Sequence, residues 1–222
     1  MTDESKLELL RLAVNKSDSL AEAEKYAKLV LGIEQKDVDS LLDSDDFHAP
    51  YKLFVKYANG VHSETFTHLE GTPIGISVFV LGKRDMSFTV GLRDKGVFPL
   101  LKDDDSDDED VKYYPREVDA LQDWDAEANT ASIIKRGTDI PLIEGEFIPS
   151  LAQLAFIGHI IEPLNESLKI VGGEPLDTDA RYWSSSESNA STAWILYLYD
   201  GDLNDWYNKS QAKDLVRPVS VF

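Results

Sequence analysis

The order of elements along this chain predicts an α+β fold, and three observations carry that expectation. Helical segments open the sequence, strand-like segments follow from Tyr51, and two further helical stretches precede a strand-rich C terminus, without the regular βαβ alternation of a parallel sheet. The last forty-odd residues, Arg181 to Phe222, hold three of the four tryptophans (Trp183, Trp194, Trp206) and four of the nine tyrosines. Within them AWILYLY (193–199) reads as a strand, Asp200-Gly201 as a tight hairpin turn and residues 202–208 as the returning strand.

From the N terminus, residues 4–14 and 19–31 read as two short helices. Ser19 followed by Glu22 forms a capping-box pattern, Leu20, Ala23, Ala27 and Val30 share one face, and Gly32 supplies the stop. With the short piece VDSLLDS, these make a helical arm over residues 1–45, either a cap on the main domain or an attachment and oligomerisation arm. Residues 46–222 form the main domain. YKLFVKYANGVHSETF (51–66) alternates around Asn59-Gly60 and reads as a β-hairpin, while GTPIGISVFVL and MSFTVGL read as buried strands around a GKRD turn. His62 and His68, without a carboxylate in register, do not make a metal set.

Residues 103–110 are seven acids in eight positions. The run lacks the glycine and closing glutamate of a calcium loop, so it is expected to be a disordered, solvated acidic loop. AEANTASIIKR (126–136) reads as a helix stopped by Gly137. A second helix opens at Ser150, with Gln153 completing a capping box, and runs to Pro163 with His159 packed on it. ESLKIVGG is a further short helix ending on Gly172-Gly173. LVRPVSVF is the last β segment, with Pro218 placing it at a sheet edge or bulge.

Composition narrows the function classes. The absence of cysteine excludes disulfides, cysteine-ligated zinc and thiol catalysis. The N-terminal stretch shows no signal-peptide pattern, and no apolar run is long enough to cross a bilayer, so membrane insertion is not expected. A formal charge of −19 argues against nucleic acid and anionic membrane as partners. Residues 181–222 carry Arg181, Lys209, Lys213 and Arg217 against Glu187, Asp200, Asp202, Asp205 and Asp214, a net of −1, so the acidity lies upstream. No catalytic triad, phosphate loop or metal-ligand spacing is visible, and a non-enzymatic protein without cofactor is expected.

FIPSLAQLAFI, IVGGEPL, YWSSSES, AWILYLYDGDL, YNKS and the terminal VRPVSVF together resemble one family. It is the C-type-lectin-like domain at the C terminus of bacterial surface, phage and retroelement-variable proteins, related in fold to the formylglycine-generating enzyme. GTPIGISVFV and DWDAEANTASIIKRG extend the resemblance over about residues 70–222. It implies a C-type-lectin-like α+β fold that recognises a ligand non-covalently through its C-terminal hairpin. The enzyme branch's cysteines and histidine site have no counterpart here. Calcium-dependent sugar binding is not implied either, because Glu162-Pro163-Leu164 lacks the asparagine and Asn204-Asp205-Trp206 has the wrong order.

Strand alternation puts Trp194, Leu196 and Leu198 on one face of the hairpin and Ile195, Tyr197 and Tyr199 on the other. The resemblance makes the first set core and the second ligand-facing, joined on the return strand by Asn204, Trp206 and Asn208. The loops add Ser188, Asn189, Ser191, Ser210 and Gln211 as ligand-binding candidates. The alternative is that Trp206 and the tyrosines pack under neighbouring loops. Trp183 and Arg217 are structural in this reading, Arg217 pairing with a carboxylate such as Glu187. The expected role is binding or display, virion-associated as a phage fibre or capsid decoration that attaches to a protein or glycan on a host surface, with the arm contacting other virion proteins. The alternatives are an assembly protein whose aromatic face is a subunit interface, or a bacterial cell-surface adhesin; a cytoplasmic location and homo-oligomerisation stay open.

Overall fold

The computed structural model describes residues 51–64, 66, 71–80, 86–103 and 111–222. The arm expected over 1–45, His68, the GKRD turn and all of the acidic run but Asp103 lie outside these residues. The chain divides into two compact units. The larger comprises 53–78 and 88–222; the other comprises 1–52 and 79–87. In the described part of the second unit, the Val80 amide donates to Ser87 Oγ at 3.0 Å.

The described strands form two five-stranded sheets. They are β1 (Tyr51–Tyr57), β2 (His62–Ser63), β3 (Pro73–Val80), β4 (Phe88–Gly91), β5 (Val97–Phe98), β6 (Arg181–Glu187), β7 (Thr192–Tyr197), β8 (Leu203–Asn208), β9 (Asp214–Leu215) and β10 (Val219–Val221). One sheet has the order β10-β4-β3-β1-β2 and the other β5-β9-β6-β7-β8. The described helices are α1 (Glu117–Ala120), α2 (Ala126–Arg136), α3 (Leu151–His159) and α4 (Ile161–Ile170), all within the connection from β5 to β6. The α+β, C-type-lectin-like expectation is therefore corrected to a mostly β, two-sheet architecture. Local pattern misled because the sheets are closed by distant pairings, such as Val219 with Val90 and Phe98 with Asp214, that no short window of sequence reveals.

Several local signals do translate into structure. Asn59-Gly60 turns β1 into β2, with the Val61 amide donating to Asn59 Oδ1 at 3.1 Å. Helix α2 ends at Gly137, whose φ of +105° an L side chain rarely adopts. Helix α3 starts on a complete capping box: Gln153 N donates to Ser150 Oγ, and Ser150 N donates to Gln153 Oε1 at 3.1 Å. Pro163 does not end that helix as expected. The chain breaks at Ile160, and Pro163 lies in the first turn of α4, where its missing N–H leaves no hydrogen bond unmade.

The terminal segment serves both sheets. Strand β9 sits between β5 and β6, and beyond Pro218 the chain becomes β10, an edge strand of the other sheet. The approach is close: the Gly91 amide donates to the Pro218 carbonyl at 2.8 Å, and a Cβ on Gly91 would lie 2.8 Å from the proline ring. Phe222 then stacks on His62 at a ring separation of 4.8 Å. Burial, followed by the nearby Lys56 charge, holds the His62 imidazole below its ordinary pKa.

Candidate functional site

The hairpin β7–β8 forms around Asp200-Gly201, with Gly201 at φ +76° and its amide donating to the Tyr197 carbonyl at 2.9 Å. The two faces of β7 separate as alternation predicts, but both are covered. Trp194 packs with Tyr114, Ala120 and Leu151, and its indole N–H donates to the Tyr114 carbonyl at 2.8 Å. Ala193 and Ile195 pack on the other face with Leu100, Leu101, Ile133, Ile148, Trp183 and Val216. Ile195 is therefore core and not ligand-facing, because β7 is an inner strand with side chains closing over each side.

On β8 the alternation slips. Ile195 pairs with Asn204 and Ala193 with Tyr207, so Asp205 and Trp206 together oppose Trp194. This is a β-bulge, and it shifts the phase of every residue beyond it. Tyr207 consequently turns to the core, where it packs with the Trp183 cluster, while Trp206 stands 79% exposed. Asn208, which pairs with Thr192, falls on the opposite face from Asn204. The expected outer row of Asn204, Trp206 and Asn208 is thus not one face.

The asparagines are also occupied. Asn204 Oδ1 accepts from the Trp206 amide at 3.1 Å, Asn208 Oδ1 accepts from the Ser210 and Gln211 amides at 3.0 and 2.9 Å, and Asn189 Oδ1 accepts from the Ser191 and Thr192 amides at 2.8 and 3.0 Å. They build turns from their own backbone, which is what such residues do in loops. Ser188 is buried, sharing a hydrogen bond with Thr192 Oγ1 at 2.6 Å and donating to the Asp205 carbonyl at 3.1 Å. It too is withdrawn as a ligand contact. Tyr197 and Ser210 are half-buried, and Ser191 and Gln211 are exposed. Tyr199, in the turn, is 73% exposed. Tyr199 and Trp206 are the two large aromatic surfaces that the hairpin presents to solvent.

Beneath the hairpin lies a charge cluster that no sequence pattern announces. Glu187, buried at the end of β6, pairs with both Arg136 and Lys209, themselves buried; Arg136 Nη1 donates to Glu187 Oε2 at 3.0 Å. Lys209 Nζ also donates to the Asn189 carbonyl at 3.2 Å. The cluster ties α2, β6 and the end of β8 together across 51 and 22 residues of sequence. Arg217 is not its partner, contrary to expectation. Arg217 Nε instead meets Asp94 Oδ1 at 2.6 Å, and its Nη1 donates to the Gly91 and Glu174 carbonyls at 3.1 and 2.9 Å. Burial raises the Asp94 pKa even so, opposed by the Arg217 charge.

Asp214 illustrates the cost of such sites. It is buried, Arg181 Nε meets one of its oxygens at 2.6 Å, and the other oxygen has no hydrogen-bond partner. Burial raises its pKa despite the Arg181 charge. A carboxyl with a raised folded pKa contributes stability below its unfolded pKa and loses it as pH climbs through the folded one. Asp214→Asn is accordingly expected to match or exceed the parent in melting temperature at neutral pH. Its advantage should shrink as pH falls towards 4, as melts across that range would show.

Among the described residues no group of three or more His, Asp or Glu side chains could hold a metal, and no helix is long and apolar enough to cross a membrane. No protein-family model matches the chain, and no curated protein matches it in sequence. In structure it is similar to a fimbrial protein from Bacteroides ovatus ATCC 8483, at 15% sequence identity and a TM-score of 0.54, over 76% of this chain and 48% of that one. The chain thus spans about half of that protein's length. The likeness is one of fold, and it replaces the C-type-lectin-like family suggested by the string from YWSS to VRPV. That string marks packing: Trp183 and Arg217 within it are fully buried.

Proposed function

We propose that the protein is a non-catalytic binding or display module exposed at a cell surface, an adhesin-like part of a surface appendage, with Tyr199 and Trp206 as its contact residues. The observation that carries this is Trp206 itself, a tryptophan left 79% exposed at a bulge on an edge strand while Trp194, the hairpin's other tryptophan, is buried. Rigid aromatic area of this kind is what interfaces use as anchors. The fold shared with a fimbrial protein supports surface display over the phage-virion reading. The partner is a protein or glycan of another cell's surface.

Fluorescently labelled protein titrated onto host cells tests this. Trp206→Ala and Tyr199→Ala should each weaken binding by at least about 2 kcal/mol, with stability unchanged within about 0.5 kcal/mol. Cell binding that both variants retain in full would remove the hairpin from the site. A subunit interface is the second reading, favoured by the edge position of β8. The bulge at Asp205-Trp206 interrupts the ladder such an interface would extend. A mass by light scattering that rises with concentration, and stays monomeric in Trp206→Ala, would decide for it.

A further inference from the structure

Between α3 and the β7–β8 hairpin the surface opens into a groove of about 310 Å³, lined by Ala155, Gly158, His159, Leu196, Leu198 and Leu203, with Gly201 at its end. It faces away from the Ile195 cluster, on the side where Trp194 and Leu203 pack. Its floor exists because Gly158 lacks a side chain: a Cβ there would come within 3.0 Å of Leu196 Cδ2 and 3.6 Å of Leu198 Cδ2. Leu198 and Leu203 remain half-exposed, so the groove offers apolar surface that the fold itself does not cover.

Its rim is acidic. Asp200 and Asp202 flank Gly201 and are exposed, and Asp179, also exposed, precedes Ala180, whose carbonyl accepts from the Leu198 amide at 3.2 Å. Among the described residues no cation pairs with these three carboxylates. The nearest cations along the chain, Arg181 and Lys209, are already paired with Asp214 and Glu187. Charge also selects the occupant. A second copy of this chain carries −19, and an anionic membrane is likewise repelled. We propose that the groove receives a basic amphipathic segment of a partner protein, aliphatic side chains entering between α3 and the hairpin while adjacent Lys or Arg residues meet Asp179, Asp200 and Asp202. Trp206 does not line the groove, and the proposal does not rest on it.

The test uses a synthetic peptide alternating Leu and Lys, with a Leu/Glu and a Ser/Lys peptide of equal length, titrated into the full chain at moderate salt and followed by calorimetry. The Leu/Lys peptide should bind, and the other two should bind at least about tenfold more weakly, as expected when a central apolar anchor or its charge match is lost. Ala155→Trp, which fills the groove, and Leu198→Lys, which adds a like charge at its wall, should each weaken Leu/Lys binding by a similar factor; Ile143→Ala, at an exposed residue that does not line the groove, should leave it unchanged. Circular dichroism melts identify any variant that fails to fold, and the two groove variants serve as alternatives to each other. The proposal is overturned if the parent does not bind the Leu/Lys peptide, or if the Ser/Lys peptide binds as well. It is also overturned if folded Ala155→Trp or Leu198→Lys retains full binding. Each of those results leaves the cell-binding role of Trp206 to its own experiment.

Discussion

Glu187→Gln should be the most damaging single polar substitution in the described structure. Its carboxylate meets both Arg136 and Lys209, whose side chains are buried, so neutralising it removes the negative charge that the two cations share in a desolvated site. Breaking a buried pair from one side costs about 3–5 kcal/mol. At roughly 2–4 °C per kcal/mol for a chain of this size, the melting temperature should fall by about 6–20 °C. Lys209→Met should cost much less, because it leaves a neutral Arg136–Glu187 pair and places an apolar chain where the lysine stem was. Thermal melts of both variants suffice. Equal losses would show that the site is governed by packing and not by its charge balance.

Trp194→Ala should destabilise the fold by about 3–5 kcal/mol, because it empties a buried site and strands the Tyr114 carbonyl that accepts from the indole. Trp206, directly across the bulge, should be silent in the same melt. The two tryptophans are of one residue type on paired strands, so the contrast isolates burial from chemistry. Denaturant titration reads both, and the slope should stay constant if only the folded state is affected. Should Trp206→Ala prove as costly as Trp194→Ala, the outward aim of the bulge would be wrong, and with it the proposed contact surface.

How much was legible beforehand follows physical range. The Asn59-Gly60 and Asp200-Gly201 turns, the capping box at Ser150, the end of α2 at Gly137 and the strand nature of β7 were all readable, since each is decided by a few neighbouring residues. Alternation separates the two faces of β7, but the inward Trp194 and outward Trp206 were expected from the resemblance; Trp194 is buried by its packing and Trp206 is exposed at a bulge. Ile195 and Ser188, expected at the ligand, are buried, and Asn204 and Asn208 fall on opposite faces and not in one row. Whether a strand is inner or edge depends on how the sheet assembles, and a bulge depends on the register of its pairing, neither of which alternation within one strand reveals.

By itself, then, the sequence determined the turns, the caps, the period of each segment and a strongly acidic chain without cysteine, because these depend on local backbone geometry and composition. Only the tertiary structure decided that the strands assemble as two five-stranded sheets, that Glu187 and not Arg217 anchors the buried charge cluster, and that one extra residue opposite Trp194 turns Tyr207 inward and Trp206 out. Those outcomes rest on the register of strand pairing and on buried contacts between residues 22, 51 and 123 positions apart, which neither periodicity nor motif reveals.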